Sequence, residues 1–221
     1  MARGSLTTTS YAILGLLAVK PWSTYELTQQ MERSLGHMWP RATSKLYEEP
    51  KKLVDHGLAR AADEQVGRRR RTVYAITPKG RRALAAWLHD PGEGPVLEWE
   101  QLVKVFFSDN GTKADVLATL DAARQWAQAR GTQTAVVGHQ YEDGGGPFPE
   151  RSAQHNVSVR FLIDFYALVA DWSRWAQAVV ETWPDDPRHA VPDDALRREN
   201  LERADAAASA HDHARGPTKR G

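Results

Sequence analysis

The chain has 221 residues, 26% of them charged and 41% hydrophobic, no cysteine, and a formal net charge of +1. That balance is ordinary for a folded, water-soluble protein, and the lack of cysteine excludes disulfides, thiolate zinc sites and cysteine nucleophiles. No apolar run approaches the ~20 residues that cross a bilayer, and Ile13-Leu14-Gly15-Leu16-Leu17 is too short and too polar at its flanks for a signal peptide, so a cytoplasmic protein with no membrane partner is expected.

Residues 8–19 form the first predicted helix, with Tyr11, Leu14 and Ala18 at spacings of three and four beside Ile13 and Leu17. Pro21-Trp22-Ser23 interrupts it. Ser23 or Thr24 can cap a second helix, because a hydroxyl accepts from a free N–H of the first turn. That helix turns Leu27 and Met31 inward and ends near Leu35-Gly36, and Trp39-Pro40 closes the turn. A third helix begins near Thr43 with Leu46, Leu53 and Val54 inward, and Gly57 fits a left-handed helix end. Two extended segments, 58–62 and 72–77, flank a charged turn centred on Gly67 and predict a hairpin. Pro78-Lys79-Gly80 opens a fourth helix through Leu84 and Trp87-Leu88.

Three helices, a hairpin and a further helix make the winged form of a helix-turn-helix, expected over residues 1–89. A linker, Asp90-Pro91-Gly92-Glu93-Gly94-Pro95, leads to a helical domain expected over 96–183, with helices near 97–108, 112–141 and 152–183. In the second of these, Val116, Leu120, Ala123 and Ala127 share a stripe; in the third, Val157, Phe161, Phe165, Leu168, Trp172, Trp175 and Val179 do. A helix this aromatic needs a partner surface, and a second copy of the chain suits it better than one thin layer of its own helices. The remainder, 184–221, reads as a polar tail in which Asp193 to Ser209 can be helical and the last dozen residues disordered. The fold class is therefore mainly α with a small β-hairpin.

The net charge conceals a split. Residues 1–89 carry 15 Lys and Arg against 7 Asp and Glu, while the rest carries 14 against 21. A basic half points to a polyanion, and duplex DNA presents one negative charge per roughly 1.7 Å. The candidate contacts are arranged for it. Arg41, Thr43, Ser44 and Lys45 lie at the start of the third helix, where short polar and basic side chains enter a major groove first; Thr43 and Ser44 could instead cap that helix. Tyr47 can meet a phosphate or pack on the first helix, and Lys51 and Lys52 can be phosphate contacts or solvated surface. Ser23, Thr24 and Tyr25 mark a helix N-terminus suited to phosphate. Arg68, Arg69, Arg70 and Arg71 form the basic hairpin tip, with alternation sending about half of them toward DNA.

These residues together resemble the PadR-like transcriptional regulators, a family of winged-helix repressors. The resemblance runs through Tyr11-Ala12-Ile13-Leu14-Gly15-Leu16-Leu17, Pro21-Trp22-Ser23-Thr24-Tyr25-Glu26-Leu27, Leu46-Tyr47 with Lys51-Lys52-Leu53, Asp55-His56-Gly57-Leu58, and Val73-Tyr74-Ala75-Ile76-Thr77-Pro78-Lys79-Gly80. It implies a dimeric repressor of an inverted-repeat operator in double-stranded DNA, with the C-terminal helices forming the dimer. Two positions depart from the family: Thr24 stands where glycine is usual, and Pro50 falls inside the third helix, where it removes a hydrogen bond and predicts a bend or restart.

Other chemistry is poorly served. His139 and His155 lack ligand spacing, His211-Asp212-His213 lies in the tail, Gly144-Gly145-Gly146 lacks the Lys-Ser/Thr of a phosphate loop, and no serine sits in a nucleophile elbow. No catalytic residue, metal or cofactor is expected. Eight tryptophans leave two uses open for Trp22, Trp39, Trp87, Trp99 and Trp126: packing, or stacking on a small aromatic effector. The rival to DNA binding is a winged-helix module that docks another protein.

Overall fold

A computed structural model describes residues 5–66, 69–145 and 148–214, the side chains of 66, 69 and 210–214 excepted. It divides into two compact units, Met1–Leu97 and Glu98–Gly221.

The first unit begins with α1 (Thr8–Val19), capped by Thr7 and buried through Ile13, Leu14, Leu16 and Leu17. A two-residue strand, β1 (Trp22–Ser23), precedes α2 (Thr24–Ser34) and α3 (Thr43–Asp55). β2 (Ala59–Val66) and β3 (Arg69–Ile76) form the wing, and α4 (Pro78–His89) follows. The hairpin expected from sequence is part of a three-stranded antiparallel sheet, because β1 pairs on the free edge of β3 at Trp22↔Tyr74 and Ser23↔Val73. Two residues carry too little periodicity for that strand to be recognised from sequence.

The core of this unit joins Ile13, Leu14 and Leu17 of α1 with Leu27, Met31, Leu46 and Leu53 of the next two helices. Each such side chain contributes roughly 1.5–3 kcal/mol on leaving water. α3 runs unbroken through Pro50, whose ring is buried beside Leu46 and Leu53, so the restart expected there is absent. Packing of the ring offsets the lost hydrogen bond.

The Thr77-Pro78-Lys79-Gly80 corner ties the end of α3 to the start of α4. Thr77 caps α4 through Gly80 N (3.0 Å) and donates to the Gly57 carbonyl (2.8 Å). Lys79 Nζ donates to the His56 carbonyl at 2.8 Å, a cation at the negative end of α3. Gly57 is left-handed, with φ of 71°. A Cβ on Gly80 would stand 2.1 Å from the Leu58 carbonyl oxygen. Gly80→Ala should therefore cost about 3 kcal/mol and lower Tm by on the order of 10 °C. An unchanged melting curve would mean that α4 slides freely past Leu58.

The second unit holds α5 (Glu100–Phe106), α6 (Lys113–Glu142), α7 (Ser152–Glu181) and α8 (Asp194–Ala214). α6 and α7 pack antiparallel: Val116 and Leu120 meet Ala176 and Val180 at one end, and Trp126 meets Tyr166 further along. The α6 seam is the expected Val116, Leu120, Ala123, Ala127. The α7 seam is Leu162, Tyr166, Val169, Ser173, Ala176 and Val180. Its spacings of four and three give the 3.5-residue repeat of knobs-into-holes packing. The chain after α7 stays attached, since the Asp185 carbonyl accepts from Lys113 N at 3.0 Å. α8 extends to Ala214, into the stretch expected to be disordered, and residues 215–221 lie outside the described residues.

Candidate nucleic-acid interface

α3 offers one buried and one exposed face. Leu46, Pro50 and Leu53 face the core. Thr43, Ser44, Lys45, Tyr47 and Lys51 are exposed, and Ser44, Tyr47 and Lys51 share one ridge at helical spacing. The residue before the helix is Ala42, which makes no side-chain cap, so the hydroxyls of Thr43 and Ser44 stand in the first turn instead of capping it. Tyr47 is 42% exposed and does not pack inward. Lys45 Nζ stands 4.0 Å from Glu48, an exposed pair that leaves the ammonium available. Lys52 is half-buried and pairs with Glu49 at 3.5 Å, while Glu49 also accepts from Ser10 Oγ at 2.6 Å. Glu49 thus braces α3 against α1, and Lys52 sits beside it on α3.

Arg41 is held before it reaches α3. Its guanidinium lies 4.0 Å above the Trp39 ring, and Nη1 donates to the Pro40 carbonyl at 2.7 Å. Trp39 is itself anchored, donating from Nε1 to Thr9 Oγ1 at 3.0 Å. Such stacking pre-orients a cation beside the helix start.

At α2, the expected phosphate residues have divided roles. Ser23 is buried. Its hydroxyl accepts from Glu26 N at 3.3 Å and donates to Glu26 Oε2 at 2.7 Å, while Ser23 N donates to the same oxygen at 2.8 Å. This capping box occupies Ser23 and makes it, not Thr24, the cap. Thr24 is half-buried at the first helical position. Tyr25 is 62% exposed and its hydroxyl accepts from Gln29 Nε2 at 2.7 Å. The Ser23 hydrogen bonds, and after them the Arg71 and Lys20 charges, hold the Glu26 carboxyl below its ordinary range.

The wing arginines also divide. The register places Arg71 opposite Glu64, Arg70 opposite Gln65 and Arg69 opposite Val66. Arg71 Nη2 is 3.0 Å from Glu64 Oε2 and its Nη1 is 3.5 Å from Glu26 Oε1. Arg70 is exposed, on the face of β3 opposite Arg71. Arg68 lies outside the described residues, as does the side chain of Arg69. Glu26 and Glu64 escape a reading of sequence that looks only for cations. A turn centred on Gly67 would pair Glu64 with Arg70; the observed register, with Val66 opposite Arg69, puts Glu64 across from Arg71 instead.

In the second unit, Val157, Phe161, Leu168 and Trp175 are exposed within the chain, as are Val103 and Phe106. Phe165 and Trp172 are half-buried: Phe165 meets Trp126 (6.4 Å between ring centres), and Trp172 meets Trp99 edge-on (5.1 Å). The tryptophans considered for an effector have partners within the chain. Trp22 donates to the Leu16 carbonyl at 2.9 Å, and Trp87 stacks on Tyr11 at 5.0 Å. Among the described residues no cluster of metal-ligating side chains forms, and no helix is long and apolar enough to cross a membrane.

Comparison with known proteins follows the same division. Residues 13–86 match the model of the transcriptional regulator PadR-like family, and residues 99–181 match that of the virulence activator alpha C-terminal family. A curated relative, the negative transcriptional regulator PadR of Bacillus subtilis, is 34% identical over 100 residues, 44% of this chain and 54% of that one. The chain spans about half the length of the curated relatives it matches. Among solved structures, Bacillus subtilis PadR in complex with operator DNA aligns at a TM-score of 0.68 with 21% identity, covering 79% of this chain and 99% of that chain. The same protein in complex with p-coumaric acid aligns at 0.62, with 20% identity and the same coverage of both chains. The Vibrio cholerae virulence activator AphA aligns at 0.59 with 19% identity, covering 78% and 98%. At these identities the likeness is one of fold.

Proposed function

We propose, for a chain that belongs to the PadR-like family of transcriptional regulators, that it represses transcription as a homodimer bound to an inverted-repeat operator. The observation that carries this reading is the Ser44, Tyr47, Lys51 ridge of α3, exposed along its length while the opposite face is sealed by Leu46, Pro50 and Leu53. An α-helix fits the major groove, and residues near its N-terminus meet base edges. Thr43, Ser44 and Lys45 fill that role, Arg41 and Tyr25 meet phosphates, and Arg70 with the rest of the wing tip holds the flanking backbone. Two such helices on one dimer reach successive grooves roughly 34 Å apart. The negative regulator among the relatives supports repression.

The test is selection of duplexes from a random-sequence pool, which should enrich an inverted repeat. Thr43→Ala and Ser44→Ala should each weaken the selected site about 30-fold, the value of one hydrogen bond in each of two protomers, and random duplex much less. Equal losses on both would make these hydroxyls phosphate contacts. No enrichment would favour the protein-docking module. A second reading, release by a small aromatic acid, draws on the p-coumaric acid bound to the Bacillus subtilis protein. It calls for saturable quenching of tryptophan fluorescence together with loss of operator binding.

A further inference from the structure

We infer that Arg71 is a positioning residue that fixes the angle of the wing, and not a phosphate contact; the assignment rests on the DNA-binding reading above. β1 supports β3 only at Tyr74 and Val73. Outward of Val73 the wing is a two-stranded ribbon, and such ribbons are marginal alone and twist strongly. Arg71 is the second residue past that support. Its guanidinium holds Glu64 Oε2 from Nη2 (3.0 Å) and Nε (3.3 Å), and reaches Glu26 Oε1 from Nη1 (3.5 Å).

These two carboxylates lie on different bodies. Glu64 is the cross-strand partner of Arg71, so that pair stays within the ribbon. Glu26 belongs to α2, so the other pair joins ribbon to helix. The second oxygen of Glu26 is already held by Ser23 N and Oγ, which fixes the carboxylate before Arg71 reaches it. One planar fork serving two acids is a task for arginine that lysine cannot reproduce. Two carboxylates around one guanidinium also leave no net positive charge there to draw a phosphate. At a rise of about 3.3 Å per residue, the Arg69 backbone lies roughly 7 Å beyond Arg71, so a tilt of about 20° moves it by roughly 2 Å, enough to break a hydrogen bond further out.

The experiment compares Arg71→Ala, Arg71→Lys and the double variant Glu26→Gln/Glu64→Gln with wild type. The probe is a duplex selected from a random pool by the wild-type protein. Glutamine keeps the capping box at position 26 and removes its charge. Positioning predicts that all three variants bind about 3- to 10-fold more weakly, as expected for losing two exposed ion pairs, with an unchanged slope of log affinity against log salt. The double variant should do so although it has lost two negative charges. A phosphate role predicts the opposite sign: the double variant binds more tightly with a steeper slope, and Arg71→Lys keeps its affinity. That result would overturn the proposal. If the double variant is unfolded by circular dichroism, Glu64→Gln alone carries the same opposed predictions. Without DNA, amide exchange in β2 and β3 outward of Val73 should quicken in Arg71→Ala while that of α1 stays unchanged. Unaltered exchange sinks the clamp whether or not the chain binds DNA. A wild type that selects no sequence sinks the DNA reading instead.

Discussion

Phe161→Glu combined with Leu168→Glu is expected to give a folded monomer. Both side chains are about two-thirds exposed in the single chain, at 65% and 64%. Replacing them removes apolar surface without opening the α6–α7 seam. If they are buried in a two-fold contact, where each patch meets its own copy, the loss is roughly 1.5–3 kcal/mol for each of four side chains, or on the order of at least 10⁴-fold in the dimer dissociation constant. Sedimentation should show a dimer for wild type and a monomer for the variant, with helical content retained. Operator affinity should fall with it, since a monomer reaches one half-site. Polar replacement of Phe165 or Trp172 is a poorer test, because these rings also pack on Trp126 and Trp99 within the chain. A wild-type monomer at micromolar concentration would leave the apolar stripe of α7 without its proposed role.

The second large effect is on salt. With Arg41, Lys51 and about two cations of the wing tip neutralising about four phosphates per protomer, a dimer displaces counterions from about eight. Affinity should then fall about 10³- to 10⁵-fold between 50 and 200 mM salt, with a log–log slope near −7. Arg70→Ala removes one contact per protomer and should make the slope shallower by about 2 while the preference for operator over random duplex persists. An unchanged slope would leave Arg70 in solvent. A collapse of specificity would mean that the wing reads sequence or groove width and that α3 shares that task.

The sequence is most legible where structure is local. The starts of α1, α3 and α4 fall where hydroxyls, proline and apolar spacing predict them, because a helix start depends on a few neighbouring residues. The stripe on α6 is legible because Val116, Leu120, Ala123 and Ala127 recur at spacings of four, three and four. The exposed ridge of α3 follows equally from its amphipathic pattern. Arg71 is harder. The three residues before it are all arginine, and the acids that hold it are brought from seven residues away across the hairpin and from α2. Trp39 and Arg41 are likewise brought together in a connection without regular structure, which periodicity does not describe.

The sequence by itself therefore determined the order of the helices and the hairpin, the winged helix-turn-helix and the basic half of the chain, since each follows from short-range pattern and charge, but not β1. The tertiary structure alone decided which side of α7 faces inward. That helix is apolar around much of its circumference, so Val157, Phe161, Phe165, Leu168 and Trp172 form as regular a stripe as Leu162, Tyr166, Val169, Ser173 and Ala176. The two stripes are offset by one residue, about 100° of rotation. Periodicity carries no information on which of them meets α6; small residues at Ala123, Ala127, Ser173 and Ala176 let the helices approach along the second, and the bulkier first stripe is left mostly outside.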